Sequence, residues 1–186
     1  VSNIAFIESK ISAAGKNVIV IGGGDTGSDC VGTSNRQKAK SITQFELLPQ
    51  PPKVRTKHMP WPTYPILLKS TSSHEEGCKR QWAIATKEFI DDGKGNLKAL
   101  KIIDIEWTPD NNGRPKWFTE IVGSEREIPC ELALLAMGFV HPEIDGIVDE
   151  LNIELDPRNN VKTGSNDYKT NVAKVFSCGD MRRGQS

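Results

Sequence analysis

The pattern of apolar and polar positions divides the chain into segments of different kinds. Residues 17–21, NVIVI, are a short, nearly unbroken β-branched run, the pattern of a strand buried on both faces of a parallel sheet. The run ends in three glycines, Gly22 to Gly24. From Asp25, DTGSDCVGTSNRQ supplies the small residues of a helix packed tightly on that sheet. SITQFEL, 41–47, reads as a second strand, so the first thirty or so residues after Lys16 make a βαβ unit. QPPKVRTKHMPWPTYP, 50–65, holds five prolines and reads as an ordered, irregular loop, with Trp61 and Tyr64 expected to be its buried anchors.

Beyond a short helix expected within ILLKSTSSHEEG, the pattern changes to alternation. RQWAIATKEFI, LKALKIIDIEW and KWFTEIVG are separated by the turn signals DDGKGN and PDNNGRP, which predicts a three-stranded antiparallel meander. ELALLAMGF, 131–139, returns to a continuous apolar run and predicts a central parallel strand ending at Gly138. The tail is loop-rich until VFSCGD, 175–180, which predicts another short buried strand. Together these segments give an α/β fold: a Rossmann-like parallel sheet with flanking helices on both faces and the antiparallel β-meander at one edge.

Composition narrows the function. The 24 basic and 24 acidic residues cancel, so no global field recruits nucleic acid or an acidic membrane surface. No apolar run approaches the length of a membrane span, and the first fifteen residues lack a signal-peptide pattern. Cys30, Cys78, Cys130 and Cys178 lie far apart with no CxxC, which argues against a metal site and for a cytoplasmic protein with reduced thiols.

The chemistry concentrates in the first βαβ unit. Gly22, Gly24 and Gly27 form G-x-G-x-x-G: the first for the tight turn, the second for the approach of a pyrophosphate, the third for close packing of helix on strand. With Gly23, Asp25 and Thr26 they form a candidate phosphate loop at a helix N-terminus. Asp25 suits a helix cap. Asp29 could accept a hydrogen bond from a nicotinamide carboxamide. Glu46, nineteen residues after Gly27, stands where a carboxylate can accept from the hydroxyls of an adenosine ribose and would repel a 2′-phosphate. The cofactor expected is therefore NADH or NADPH, with NADH favoured. Arg36, Lys53 and Arg55 are the basic residues that could reverse that preference. His74-Glu75-Glu76 has no second histidine at ligand spacing, and a loop or helix-cap role is expected. No catalytic side-chain pairing can be inferred; hydride transfer depends on positioning more than on an acid or base.

GGGDTGSDCVGTSNRQ, TQFELLPQPP, PWPTYP, SSHEEG and VFSCGDMRRGQS, in that order, closely resemble the small (β) subunit family of glutamate synthase, over nearly the whole chain from Lys16. That family is a two-dinucleotide flavoprotein, with an NAD(P)H domain inserted into an FAD domain. The resemblance implies that 1–15 is a short FAD-domain or linker segment, 16–140 the NAD(P)H-binding domain and 141–186 a partial FAD-domain segment. It implies that ELALLAMGF, with Gly138, leads back to the FAD domain, and that VFSCGD is a flavin fingerprint, with Gly179 and Asp180 on FAD. The family's own FAD βαβ unit and the cysteine-rich region that ligates two [4Fe–4S] clusters are missing here. FAD would therefore be held only in the full-length subunit, and the iron–sulfur clusters by the missing N-terminal region. The expected partners are the glutamate synthase large subunit and the remainder of the FAD and iron–sulfur domains. The implied activity passes hydride from NAD(P)H to FAD for reductive glutamate synthesis from glutamine and 2-oxoglutarate, with the fragment alone inactive. The alternatives are an NAD(P)H module of a related flavoprotein oxidoreductase and a non-catalytic subunit-docking domain.

Overall fold

Strand β1 (Asn17–Ile21) is the centre from which the first part of the molecule is built. It pairs in parallel with β2 (Ser41–Glu46) on one side and with β8 (Leu132–Leu135) on the other. β2 in turn pairs in parallel with β3 (Lys79–Trp82), giving the order β3-β2-β1-β8. The computed structural model describes residues 11–62, 65–111 and 113–184. They pack as two units, the first closing at Met137 and the second starting at Gly138.

The register puts Val18, Val20, Ile42 and Gln44 on one face and Ile19, Ile21, Thr43 and Phe45 on the other. The first face is covered by α1 (Asp25–Arg36), whose Val31 joins Val18, Val20 and Ile42 in one buried cluster. The short helix α2 (Ser72–Glu75) packs beside α1. The second face is covered differently from expectation. Ile19 and Phe45 are buried against Ile84, Leu100 and Ile102, which belong to an antiparallel sheet. That sheet runs β4 (Ile84–Asp91), β5 (Leu97–Pro109), β6 (Pro115–Glu120), with β7 (Arg126–Pro129) also pairing β5. The meander therefore lies across a face rather than at an edge. Among the described residues it takes the place that a second layer of helices would occupy.

Several expectations change with this packing. RQW does not belong to the meander: Lys79–Trp82 is a parallel strand beside β2. The division falls at Ala83, held at φ 55°. Its N–H donates to the Leu48 carbonyl and its own carbonyl accepts from Ile105, so the chain leaves one sheet and joins the other within one residue. β7 is too short to show a period in the sequence; Arg126 fixes its start with a two-pronged pair to Asp104 at 2.8 and 2.9 Å. β8 is an edge strand of four residues, not a central one, and Leu135 is exposed. VFSCGD is not a strand. Val175 donates to Val172 in a turn, and Ser177 donates to Tyr168 across a single isolated bridge between Lys169 and Phe176, which is exposed. Trp61 anchors nothing, being 84% exposed; Tyr64 lies outside the described residues.

The second unit holds α3 (Ile147–Glu150) and α4 (Asp180–Arg183) among turns. Arg182 organises it: the guanidinium donates to the Thr163 hydroxyl and the Gly164 and Ser165 carbonyls, and lies 4.7 Å from the Tyr168 ring centroid.

Phe45, 1% exposed, joins the two sheets of the first unit. Phe45→Ala is expected to cost about 3–5 kcal/mol through lost burial and the cavity left behind. Denaturant unfolding followed by circular dichroism checks this; a loss below about 1 kcal/mol would mean the sheets are held together elsewhere.

Candidate functional site

The carboxyl end of β1 runs directly into the three glycines, and each glycine of the motif meets a different steric demand. Gly22 extends the ladder, its N–H donating to the Phe45 carbonyl at 2.8 Å. It does so at φ 123°, where an L side chain is strained, and a Cβ there would overlap the Ala136 carbonyl. Gly24 is the N-cap of α1 in ordinary extended backbone, and a Cβ on it would meet nothing within 4 Å. Gly27, on the first turn of α1, lies so close to the strand that a Cβ would overlap the Gly22 carbonyl and come within 2.7 Å of the Gln44 amide nitrogen.

No side chain caps α1. Asp25, expected as a cap, is instead the first helical residue, exposed, in the turn where the helix dipole favours a carboxylate. Thr26 beside it is exposed, as is Asp29 one turn further on. The first-turn N–H groups of a helix have no intrahelical acceptor, and together with the dipole they make an anion site.

Glu46 comes to this loop from the end of β2. Its Oε2 accepts from the Gly23 N–H at 2.6 Å and its Oε1 from the Leu48 N–H at 3.1 Å. An ionised carboxylate has about four lone-pair directions, so both oxygens retain acceptor capacity. Gln44, two residues earlier on the same face, is 2% exposed, and both ends of its amide are engaged. Nε2 donates to the Gly22 carbonyl at 2.9 Å, and Oε1 lies 2.9 Å from His74 Nε2. His74 has the helix-cap role expected of it, in a capping box with Thr71, whose N–H donates to Nδ1 at 3.2 Å. A backbone N–H can only donate, so Nδ1 is bare and Nε2 carries the proton that goes to Gln44. The Thr71 hydroxyl hydrogen-bonds the Ser28 hydroxyl of α1. Burial, and next the Arg80 charge, hold the His74 pKa below its ordinary 6.5.

Two of the three cations named from the sequence are engaged elsewhere. Arg36 pairs with Glu76 at 2.6 Å, and the Arg55 guanidinium donates to the Met59 carbonyl. Lys53 is exposed in the proline-rich loop. Arg80, in register with Gln44 on β3, donates to the Lys69 carbonyl and lies 5.1 Å from the Trp82 ring centroid. Gly138, Gly179 and Asp180 fall in the second unit. Gly138 and Gly179 have φ of 79° and 69°, and Gly179 is the N-cap before an exposed Asp180. The sequence reading missed Gln44 and Thr71 and took His74 no further than a local role. The available signal was a glutamine at a core-facing position of SITQFE, where only a satisfied amide is stable.

A family model described as pyridine nucleotide-disulphide oxidoreductase matches residues 4–186. The chain belongs to this family. Its similar relatives within the pyridine nucleotide-disulphide oxidoreductases include glutamate synthases. It is 44% identical over 95% of its length to "Glutamate synthase [NADH]" of Schizosaccharomyces pombe, covering 8% of that protein. It is 43% identical over 95% of its length to "Glutamate synthase [NADPH] small chain" of Mycobacterium tuberculosis, covering 34% of it. The chain thus spans about a third or less of the length of these curated relatives. A solved thioredoxin reductase from Gloeobacter violaceus aligns over 92% of this chain and 43% of its own, at TM-score 0.45 and 12% identity, too distant a likeness to bear on function.

Two outcomes test the steric assignments. Gly24→Ala is expected to leave thermal stability within about 0.5 kcal/mol of wild type, whereas Gly27→Ala is expected to cost at least about 2 kcal/mol through overpacking. Equal melting temperatures for the two variants would contradict the close approach of α1. Because the folded His74 pKa is depressed, its contribution is full above pH 6.5 and is lost as pH falls below that value, while the unfolded chain takes up the proton first. His74→Gln, which keeps a capping-box residue, is expected to remove that part of the acid loss; melting curves at several pH values for both proteins measure the difference.

Proposed function

We propose that the Gly22–Gly27 loop, the N-terminus of α1 and Glu46 bind a nicotinamide dinucleotide, and that the chain is the NAD(P)H-binding part of a glutamate synthase. The observation that carries the binding reading is the open space above Gly24 beside an uncapped helix N-terminus. A pyrophosphate can approach backbone there without meeting a side chain, and the donors it needs are not taken by a cap. Glu46 then receives the adenosine ribose hydroxyls, and Asp29 the carboxamide end. Gly23, Asp25 and Thr26 complete the loop. When bound, the dinucleotide supplies hydride chemistry. The chain's part is to hold it by its phosphates and ribose, a positioning role that needs no acid or base.

The glutamate synthase assignment rests on the identity to proteins of that name across 95% of the chain. On this reading the electron acceptor is FAD in the full-length subunit, with Gly138, Gly179 and Asp180 on its side and 141–186 part of its domain. The iron–sulfur clusters lie outside this chain, and the large subunit is the partner where glutamine and 2-oxoglutarate become glutamate. The place of work is the cytoplasm; among the described residues no helix is long and apolar enough to cross a membrane.

NADH is the favoured cofactor on the side of Glu46. A 2′-phosphate there would bring about two negative charges to a third, a contact that costs on the order of a few kcal/mol before screening. The relatives' names include both NADH and NADPH, so preference turns on local charge. Calorimetric titration of the chain is expected to give a dissociation constant roughly ten- to a hundredfold lower for NADH than for NADPH, about 1.4 kcal/mol per power of ten. Glu46→Gln keeps an acceptor for the Gly23 N–H while removing the charge, so it should weaken NADH and improve NADPH. Gly24→Val should abolish binding of both with the circular dichroism spectrum unchanged. A folded Gly24→Val protein of unaltered affinity would show that phosphates bind elsewhere.

A further inference from the structure

The Gly22 carbonyl and the Gly23 N–H are the two ends of one peptide group. Each is held by a different side chain of β2. The Gln44 amide donates to the oxygen at 2.9 Å, and the Glu46 carboxylate accepts from the N–H at 2.6 Å. A trans peptide points these groups in opposite directions, so the two side chains grip it from opposite sides. Gly22, having no Cβ, is the residue at which such a peptide could turn over at low cost. Turned over, the plane would aim a carbonyl oxygen where the N–H now points, against the Glu46 carboxylate, and would push that side chain off the loop.

Gln44 can grip the carbonyl in only one amide orientation. The Nε2–H group must face Gly22, so Oε1 must face an acceptor-seeking neighbour. His74 supplies it, because Thr71 fills Nδ1 and leaves the proton on Nε2. Thr71 is in turn tied to Ser28 on α1. The direction of every bond from Thr71 to Gly22 is thereby set by one backbone N–H, with no freedom left for the glutamine to flip.

We infer that His74 and Gln44 are positioning residues for the phosphate loop, which act in series to lock the Gly22–Gly23 peptide in the orientation that offers its N–H to Glu46. The inference rests on the reading of this loop as the dinucleotide site. It assigns work to a histidine that touches neither the loop nor the ligand. It also gives Glu46 a task before any ribose arrives. Protonation of His74 turns Nδ1 from acceptor to donor, so the ring loses the Thr71 N–H that seats it, while Nε2–H remains available to Gln44. The charge that bears on the ring is that of Arg80 from β3; Glu75 follows His74 on its own turn, and Arg36 of α1 is paired with Glu76.

The test separates the lock from the ligand. Amide hydrogen exchange at Gly23 is measured by NMR in the unliganded chain, and NADH and NADPH affinities by calorimetry, for wild type, His74→Leu, His74→Gln and Gln44→Met. Gln44→Met leaves the Thr71–His74 capping box in place, so loss of fold in His74→Leu does not stop the test. Gly23 exchange is expected to rise about tenfold or more in His74→Leu and Gln44→Met, and affinity for the preferred cofactor to fall about five- to tenfold, as for loss of one hydrogen bond. The double variant His74→Leu/Gln44→Met should lose no more than either single, because the two act as one unit. Wild-type affinity should decline below pH 6.5 more steeply than that of His74→Gln. Unchanged Gly23 exchange, or affinities within twofold of wild type in folded variants, overturns the inference. Faster Gly23 exchange in the variants, with a wild-type chain that binds neither cofactor, would uphold the lock and overturn the dinucleotide reading.

Discussion

The closeness of α1 to the parallel sheet is the constraint on which the first unit depends. At Gly27 the helix backbone touches the Gly22 carbonyl with no room for a methyl group between them. That contact determines how deep Val31 sits among Val18, Val20 and Ile42, and hence how well one face of the sheet is filled. It also brings Ser28 to Thr71, and through Thr71 the short helix α2 to its place beside α1. A helix standing farther off would leave a gap of packing contacts along its length, since dispersion falls steeply with distance.

β2 serves two sides at once. Its alternation sends Phe45 into the space between the sheets and Gln44 and Glu46 to the loop. The same six residues therefore join a hydrophobic seam and a polar network. The network is tolerable in a buried position because both ends of the Gln44 amide are bonded.

Much of this was legible in the sequence, for reasons specific to each segment. NVIVI followed by spaced glycines leaves little choice of structure, because a β-branched run that passes directly into φ-permissive residues is a pattern other elements do not use. The alternation of LKALKIIDIEW likewise identified a long strand of a meander. What the sequence hid was long-range. RQW and AIATKEFI read as one alternating run because periodicity does not record that Ala83 turns the chain from one sheet into another. VFSCGD is apolar enough for a strand, but a strand needs a neighbour, and its backbone finds turns. At the site, the loop and Glu46 follow from local spacing. Gln44 and His74 lie thirty residues apart, and their hydrogen bond arises only once β2 and α2 have been brought together.

The far end of β5 reaches beyond the sheet it belongs to. The Trp107 indole, packed on Phe118, donates to the carbonyl of Leu47, the residue that follows Glu46. The exit from β2 is thus braced by a strand sixty residues away in sequence. The first βαβ unit is for this reason not a self-sufficient module. A chimera that transplanted it alone into another scaffold would carry the glycines and the acid but leave behind the buttress beside them. Inheritance of this kind of site should travel with the meander, as a pair of sheets, and not as a motif.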